Sequence, residues 1–142
     1  MAIIQTLTTS FKVELAQGLH NFTTGTGDVF KLALYTANAD LGASTTAYTT
    51  AGEVSGTNYS AGGIVLTNIT PSFQGTTSYW SFQDVTFTNV TLTTNGALIY
   101  NSTNGNRSVA VLNFGVNITK TAQNLVITFP VNDATNAVLR IA

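Results

Sequence analysis

The sequence predicts a mainly β protein. It reads as a single domain over residues 1–142, a β-sandwich or jelly-roll-like barrel with one short N-terminal helix and a long loop. Three observations carry this. Short apolar runs separated by turn residues recur about every 8–15 positions, the spacing of sandwiches and barrels. The stretch from Gly96 to Gly115 reads as a β-hairpin whose arms are apolar at consecutive positions: Leu98, Ile99 and Tyr100 on one, Val109 to Leu112 on the other. Strands covered on one face alternate, whereas strands covered on both do not, so this hairpin is expected at the centre. Helical periodicity occurs once, over residues 10–22, where Phe11, Leu15, Leu19 and Phe22 fall on one face.

The elements follow in order. Thr9 or Ser10 can cap the helix, and Asn21 with the following Thr-Thr-Gly can end it. The aromatic stripe is expected to pack on the protein's own sheet. Residues 28–36 form a strand with Phe30, Leu32 and Leu34 on one face and Val29, Lys31, Ala33 and Tyr35 on the other. Residues 37–63 lose periodicity and hold only Tyr48, Val54 and Tyr59 as anchors. So long a connection is either functional or folded down by those anchors as an extended arm. Strands are expected at 64–69, 79–87 and 89–94, with a turn containing Pro71 and Gly75 and a break at Thr88-Asn89 that also suits a bulge. Asn104-Gly105 supplies residues that accept positive φ between the hairpin arms at 97–101 and 107–114. A strand at 123–130 ends at Pro130, and 137–141 reads as a docked terminal strand.

Composition bounds function. The chain has 142 residues, of which 8% are charged, against about 25% in ordinary soluble domains. Threonine occurs 26 times and asparagine 14 times, so hydroxyls and amides carry solubility. Such a surface packs against neighbours without desolvating many ions. A net charge of −1 with scattered Lys and Arg argues against nucleic-acid binding. No apolar run approaches the ~18 residues of a membrane span, and the N-terminus lacks the pattern of a secretory signal. The absence of cysteine removes disulfides and thiolate metal sites.

No catalytic or cofactor motif stands out. His20 is the sole histidine, with no second imidazole or thiol for zinc. It is expected at the helix C-terminus, against the dipole. Glu14, Asp28, Asp40, Glu53, Asp84 and Asp133 are dispersed and suit caps and turns. No Asp-x-Asp-x-Asp spacing supports calcium. Gly25-Thr26-Gly27 and Gly62-Gly63 lack the lysine of a phosphate loop. Asn-x-Ser/Thr occurs seven times, little above the chance rate for this composition. Trp80, Tyr79, Phe82 and Phe87 suit a core better than a sugar-stacking platform.

Several stretches resemble a family of small tailed-bacteriophage and prophage proteins. They are Phe11-Lys-Val-Glu-Leu-Ala-Gln-Gly-Leu-His-Asn-Phe, Phe30-Lys-Leu-Ala-Leu-Tyr-Thr, Ala39-Asp-Leu-Gly-Ala-Ser-Thr-Thr-Ala-Tyr-Thr and Gly52-Glu-Val-Ser-Gly-Thr-Asn-Tyr-Ser-Ala-Gly-Gly. Gly96-Ala-Leu-Ile-Tyr-Asn, Val111-Leu-Asn-Phe-Gly and Phe129-Pro continue the pattern, which departs at Asn95, where arginine is expected. The resemblance implies a non-enzymatic virion part without cofactor or metal. The favoured role is a capsid cement or decoration protein on the capsid surface. Its expected partners are the major capsid protein and other copies of itself, as a homo-oligomer such as a trimer. Loop residues Tyr48, Glu53, Val54 and Tyr59 are the expected assembly contacts. A tail or neck/fibre-associated component and a carbohydrate-binding host-attachment module are the competing readings.

Overall fold

The structure, a computed structural model, describes residues 2–142. The chain runs β1 (Thr6–Leu7), α1 (Thr9–Ala16), β2 (Phe30–Tyr35), β3 (Ile64–Val65), β4 (Asn68–Gln74), β5 (Thr77–Phe82), β6 (Val85–Asn101), β7 (Arg107–Ile127) and β8 (Leu139–Ile141). Five strands form one antiparallel sheet in the order β1-β7-β6-β2-β3, and three form another in the order β4-β5-β8. The result is sandwich-like. Edge strands β1 and β3 do not join, so the larger sheet does not close into a barrel among the described residues.

The helix is shorter than its periodicity suggests. Gly18 takes φ +74°, a conformation that costs a residue with a Cβ roughly 1–2 kcal/mol. Leu19 N–H bonds Glu14 O at 3.0 Å and Gly18 N–H bonds Leu15 O at 3.2 Å, which closes the helix as a Schellman motif. The chain then turns back, and His20 and Phe22 enter the core from beyond the helix. Thr8 occupies the N-cap without a side-chain cap bond; its hydroxyl turns towards the carbonyls of Ser108 and Val109.

The hairpin is central, as its apolar arms demand. β6 pairs with β2 on one side and β7 on the other, and residues 97–101 and 108–111 are all buried. Positive φ falls on Gly105 and Asn106, one residue later than the sequence suggests. The two faces of the sheet meet different cores. Phe30, Leu32, Leu34, Ala97, Ile99 and Val109 join the inter-sheet core with Trp80, Phe82 and Leu139. Ala33, Tyr35, Leu98, Tyr100 and Val111 form a second cluster, covered by Ile3, Ala39, Leu41 and Tyr48.

Three expected boundaries move. Residues 64–69 are two strands, because the chain crosses from one sheet to the other at Leu66-Thr67. Pro71 lies within edge strand β4, beside a register shift between Ile69 and Ser72. Residues 79–87 also split, at Gln83-Asp84. By contrast, 89–94 belongs to β6 and 123–127 to β7, in one continuous ladder from Val85↔Ile127 to Asn101↔Arg107. Bulges absorb the apparent breaks: Asn89 and Ala122 take φ +51° and +50°, and Phe114 to Asn117 loop out opposite Asn95. The terminal segment docks as expected, with β8 against β5.

An aromatic column ties the layers together. Phe22 and Phe30 stack at 4.3 Å, Phe22 meets Trp80 at 5.4 Å, Phe30 meets Phe82 at 5.7 Å, and Phe82 meets Phe129 at 6.0 Å. The accessible surface is 7105 Å², against about 7,000 Å² for a compact monomer of this mass. The loop is therefore not a free arm.

Candidate functional site

Residues 37–63 lie across the larger sheet and are stitched to it. Single bridging pairs join Leu41 to Ile3, Ala47 to Arg107, Glu53 to Tyr35 and Thr57 to Thr91. At the centre of the stitching is Glu53. One carboxylate oxygen accepts the Tyr48 hydroxyl at 2.6 Å; the other accepts the Tyr59 hydroxyl at 2.7 Å and the Gly62 N–H at 2.8 Å. Tyr59 Oη also accepts the N–H of Leu34, from β2, at 2.9 Å. Tyr48 stacks on Tyr100 at 4.8 Å, and the Tyr100 hydroxyl donates to Gly62 O at 2.6 Å. Tyr35 donates to Thr49 O at 2.6 Å.

The expected assembly residues are thus brought together, but their polar groups face one another. Val54 is buried in the inter-sheet core, while Tyr48, Glu53 and Tyr59 are half-buried. Burial raises the hydroxyl pKa of Tyr35, Tyr48, Tyr59 and Tyr100 above its ordinary value, and the Glu53 charge raises each further. Hydroxyls held protonated across a wide pH range are suited to donating to a carboxylate. The group acts as a clamp that fixes the loop on its sheet.

A second polar cluster was not legible in the sequence. Glu14 and His20 are buried, and His20 Nε2 lies 3.0 Å from Glu14 Oε1. The other Glu14 oxygen accepts from Arg107 Nη1 at 2.9 Å. Asn101 Oδ1 accepts the backbone N–H groups of Thr103 and Asn104, which fixes the amide's orientation. Its Nδ2 therefore faces His20 Nδ1 at 3.1 Å and Asp28 Oδ2 at 2.8 Å. His20 Nδ1 must accept, which assigns the proton to Nε2, donating to Glu14. His20 is consequently held by a side chain of α1, four residues beyond the helix, not by the dipole at its end. The cluster fastens helix, hairpin tip and the 19–28 turn to each other.

The remaining carboxylates divide. Asp84 accepts the Phe129 N–H and Asp133 the N–H groups of Thr135 and Asn136, the turn roles their positions suggest, while Asp28 accepts both the Asn21 N–H and the Asn101 side-chain amide. Glu14 and Glu53 do not follow that pattern; both bind side chains internally. Among the described residues, no three His, Asp or Glu side chains converge as a metal-holding group. No helix of the described residues is long and apolar enough to cross a membrane. Trp80, Phe82 and Phe87 are buried, so they offer no exposed stacking platform; the Trp80 indole N–H has no partner within the chain. Asn95, at the position where arginine is expected, bonds Asn117 amide to amide at 3.0 Å.

Comparison with protein-family models, curated proteins and solved structures finds no match to this chain.

Proposed function

We propose that the protein is a structural component of a tailed-bacteriophage virion. Within that class, we read it as a capsid cement or decoration protein, bound to the assembled shell beside other copies of itself. The observation that supports this most is the nature of its surface. Only 11 of 142 side chains are acidic or basic, and two of them, Glu14 and Arg107, pair with each other. What remains is largely hydroxyl and amide, which desolvates at lower cost than ions when subunits pack closely. The order of motifs resembling small phage proteins points the same way. The burial of Trp80 weakens the carbohydrate-binding alternative.

Binding only the assembled shell would stabilise it by mass action. Shells lacking the protein are expected to assemble but to release their genome at lower temperature or under osmotic shock. Adding purified protein back should restore the wild-type release temperature. Unchanged release without the protein, or labelling of the tail instead of the head lattice, would reject the cement role.

A further inference from the structure

One side of the sandwich is open. β1 ends the larger sheet and β8 ends the smaller one, and each has a single strand neighbour. Between these two edges lies a trench made of adjoining hollows. The largest holds about 560 Å³ and a neighbour about 280 Å³, within or near the range of ligand sites. Leu7 of β1 and Arg140 of β8 border both, and a third hollow as well.

The trench is where the core reaches the surface. Eight half-buried apolar side chains fringe the inter-sheet core, and five of them line it: Leu7, Leu15, Leu112, Phe114 and Val138. Its lining charges are basic, although Arg140 Nη1 also donates to Thr135 O and lies in the field of Asp133 behind it. Of five basic residues in the chain, Lys12 and Arg140 lie here, while no Asp or Glu lines any of the three hollows. Just before β1, the Gln5 side-chain carbonyl accepts the Asn113 N–H of β7 at 3.1 Å, which carries β1's own pairing to β7 one step further and leaves the outer edge of β1 as the free one.

We infer that this trench binds an extended segment of another protein, one that alternates apolar side chains with carboxylates. Unpaired strand edges supply backbone donors and acceptors for an added strand. The apolar floor takes every second side chain, and Lys12 with Arg140 selects acidic residues over basic ones. A second copy of this chain fits less well. Its exposed apolar hairpin, carrying Phe73 at 74% exposure, has no charged residue from Asn68 to Phe82 to answer the two cations. The chemistry of the segment is independent of whether the protein sits on a capsid.

The test is a titration of the isotopically labelled full chain, followed by amide chemical shifts. The probe is a blocked heptapeptide, Thr-Val-Glu-Val-Glu-Leu-Thr, compared with the same peptide carrying Lys for Glu. Saturable shifts are expected at Leu7, Phe114 and Leu139 to Ile141, with the acidic peptide binding at least about tenfold more tightly. Arg140→Glu should abolish that preference, and the unliganded spectrum of the variant reports its folding. Lys12→Glu, on the exposed side of α1, provides the same comparison if Arg140→Glu unfolds. Equal binding of the two peptides, shifts confined to other surfaces, or no shift at about millimolar peptide would overturn the inference. Trench shifts that track protein concentration without peptide would also overturn it, placing a second copy there.

Discussion

Replacing Tyr59 with phenylalanine removes one oxygen atom and breaks two connections. The hydroxyl donates to Glu53 at 2.7 Å and accepts the Leu34 N–H at 2.9 Å. Leu34 is fully buried, so its N–H finds no water in exchange. A hydrogen bond to a charged group contributes about 1.5–3 kcal/mol, and an orphaned buried N–H costs about 1–3 kcal/mol. Glu53 keeps the Tyr48 and Gly62 donors, which limits the first loss. We expect Tyr59→Phe to destabilise the fold by about 3 kcal/mol, roughly a 10 °C drop in Tm for a domain of this size. Tyr48→Phe loses a single bond, keeps the ring on Tyr100 and orphans no backbone N–H, so it should cost only about 1.5 kcal/mol. Urea unfolding of both variants, with hydrogen exchange of the Leu34 amide, measures the difference. If Tyr59→Phe costs no more than Tyr48→Phe and the Leu34 amide stays protected, the clamp is not what holds the loop.

Glu14→Ala strands the His20 Nε2–H in the core and frees Arg107; a loss of about 2–3 kcal/mol is expected in denaturant titration. Gly63→Ala should prevent folding or cost more than about 3 kcal/mol, because φ is +85° and a Cβ would sit 1.9 Å from Leu32 O. Gly18→Ala, with φ +74° and open space around it, should cost only about 1–2 kcal/mol by the same thermal assay. Stability should also fall steeply in alkali. The buried tyrosines keep their protons in the folded state above pH 10, where the unfolded chain has lost them, so unfolding becomes more favourable as pH rises. Each fully buried tyrosine contributes up to about 1.4 kcal/mol per pH unit once the pH exceeds the unfolded value near 10, readable from urea midpoints taken above that pH. Deleting residues 37–62 is expected to unfold the protein, since Tyr35, Leu98 and Val111 would lose their cover; a native-like spectrum after deletion would refute this.

Periodicity was readable wherever one strand met one constant environment. In β2 the alternation of Phe30, Leu32 and Leu34 with Ala33 and Tyr35 is correct because each set has its own core. It misled where an apolar run changes layers: Ile64, Val65 and Leu66 look like one strand, yet the chain crosses between sheets just after them. Continuity of β6 and β7 was hidden for another reason. Their outer halves are rich in Thr and Asn, and bulges at Asn89 and Ala122 reset the alternation, so the pattern breaks while the ladder does not. The clamp was half legible, since Tyr48 and Tyr59 stood out in an otherwise featureless loop. The Glu14 cluster was not legible, because its partner Arg107 is 93 residues away and only the folded topology makes them neighbours.

The long ladder between β6 and β7 also bears on the order of assembly. Its turn spans only a few residues, so it can zip from Asn104-Gly105 outward with little loop-closure entropy. β2 must then find β6 across at least the stretch between Tyr35 and Gly96, a search that slows folding. The Glu53 clamp needs β2 already in place, because one of its hydrogen bonds ends on Leu34. The ribbon is thus expected to act as the nucleus and the clamped segment to close last. Substitutions such as Tyr59→Phe should then speed unfolding while leaving the refolding rate nearly unchanged.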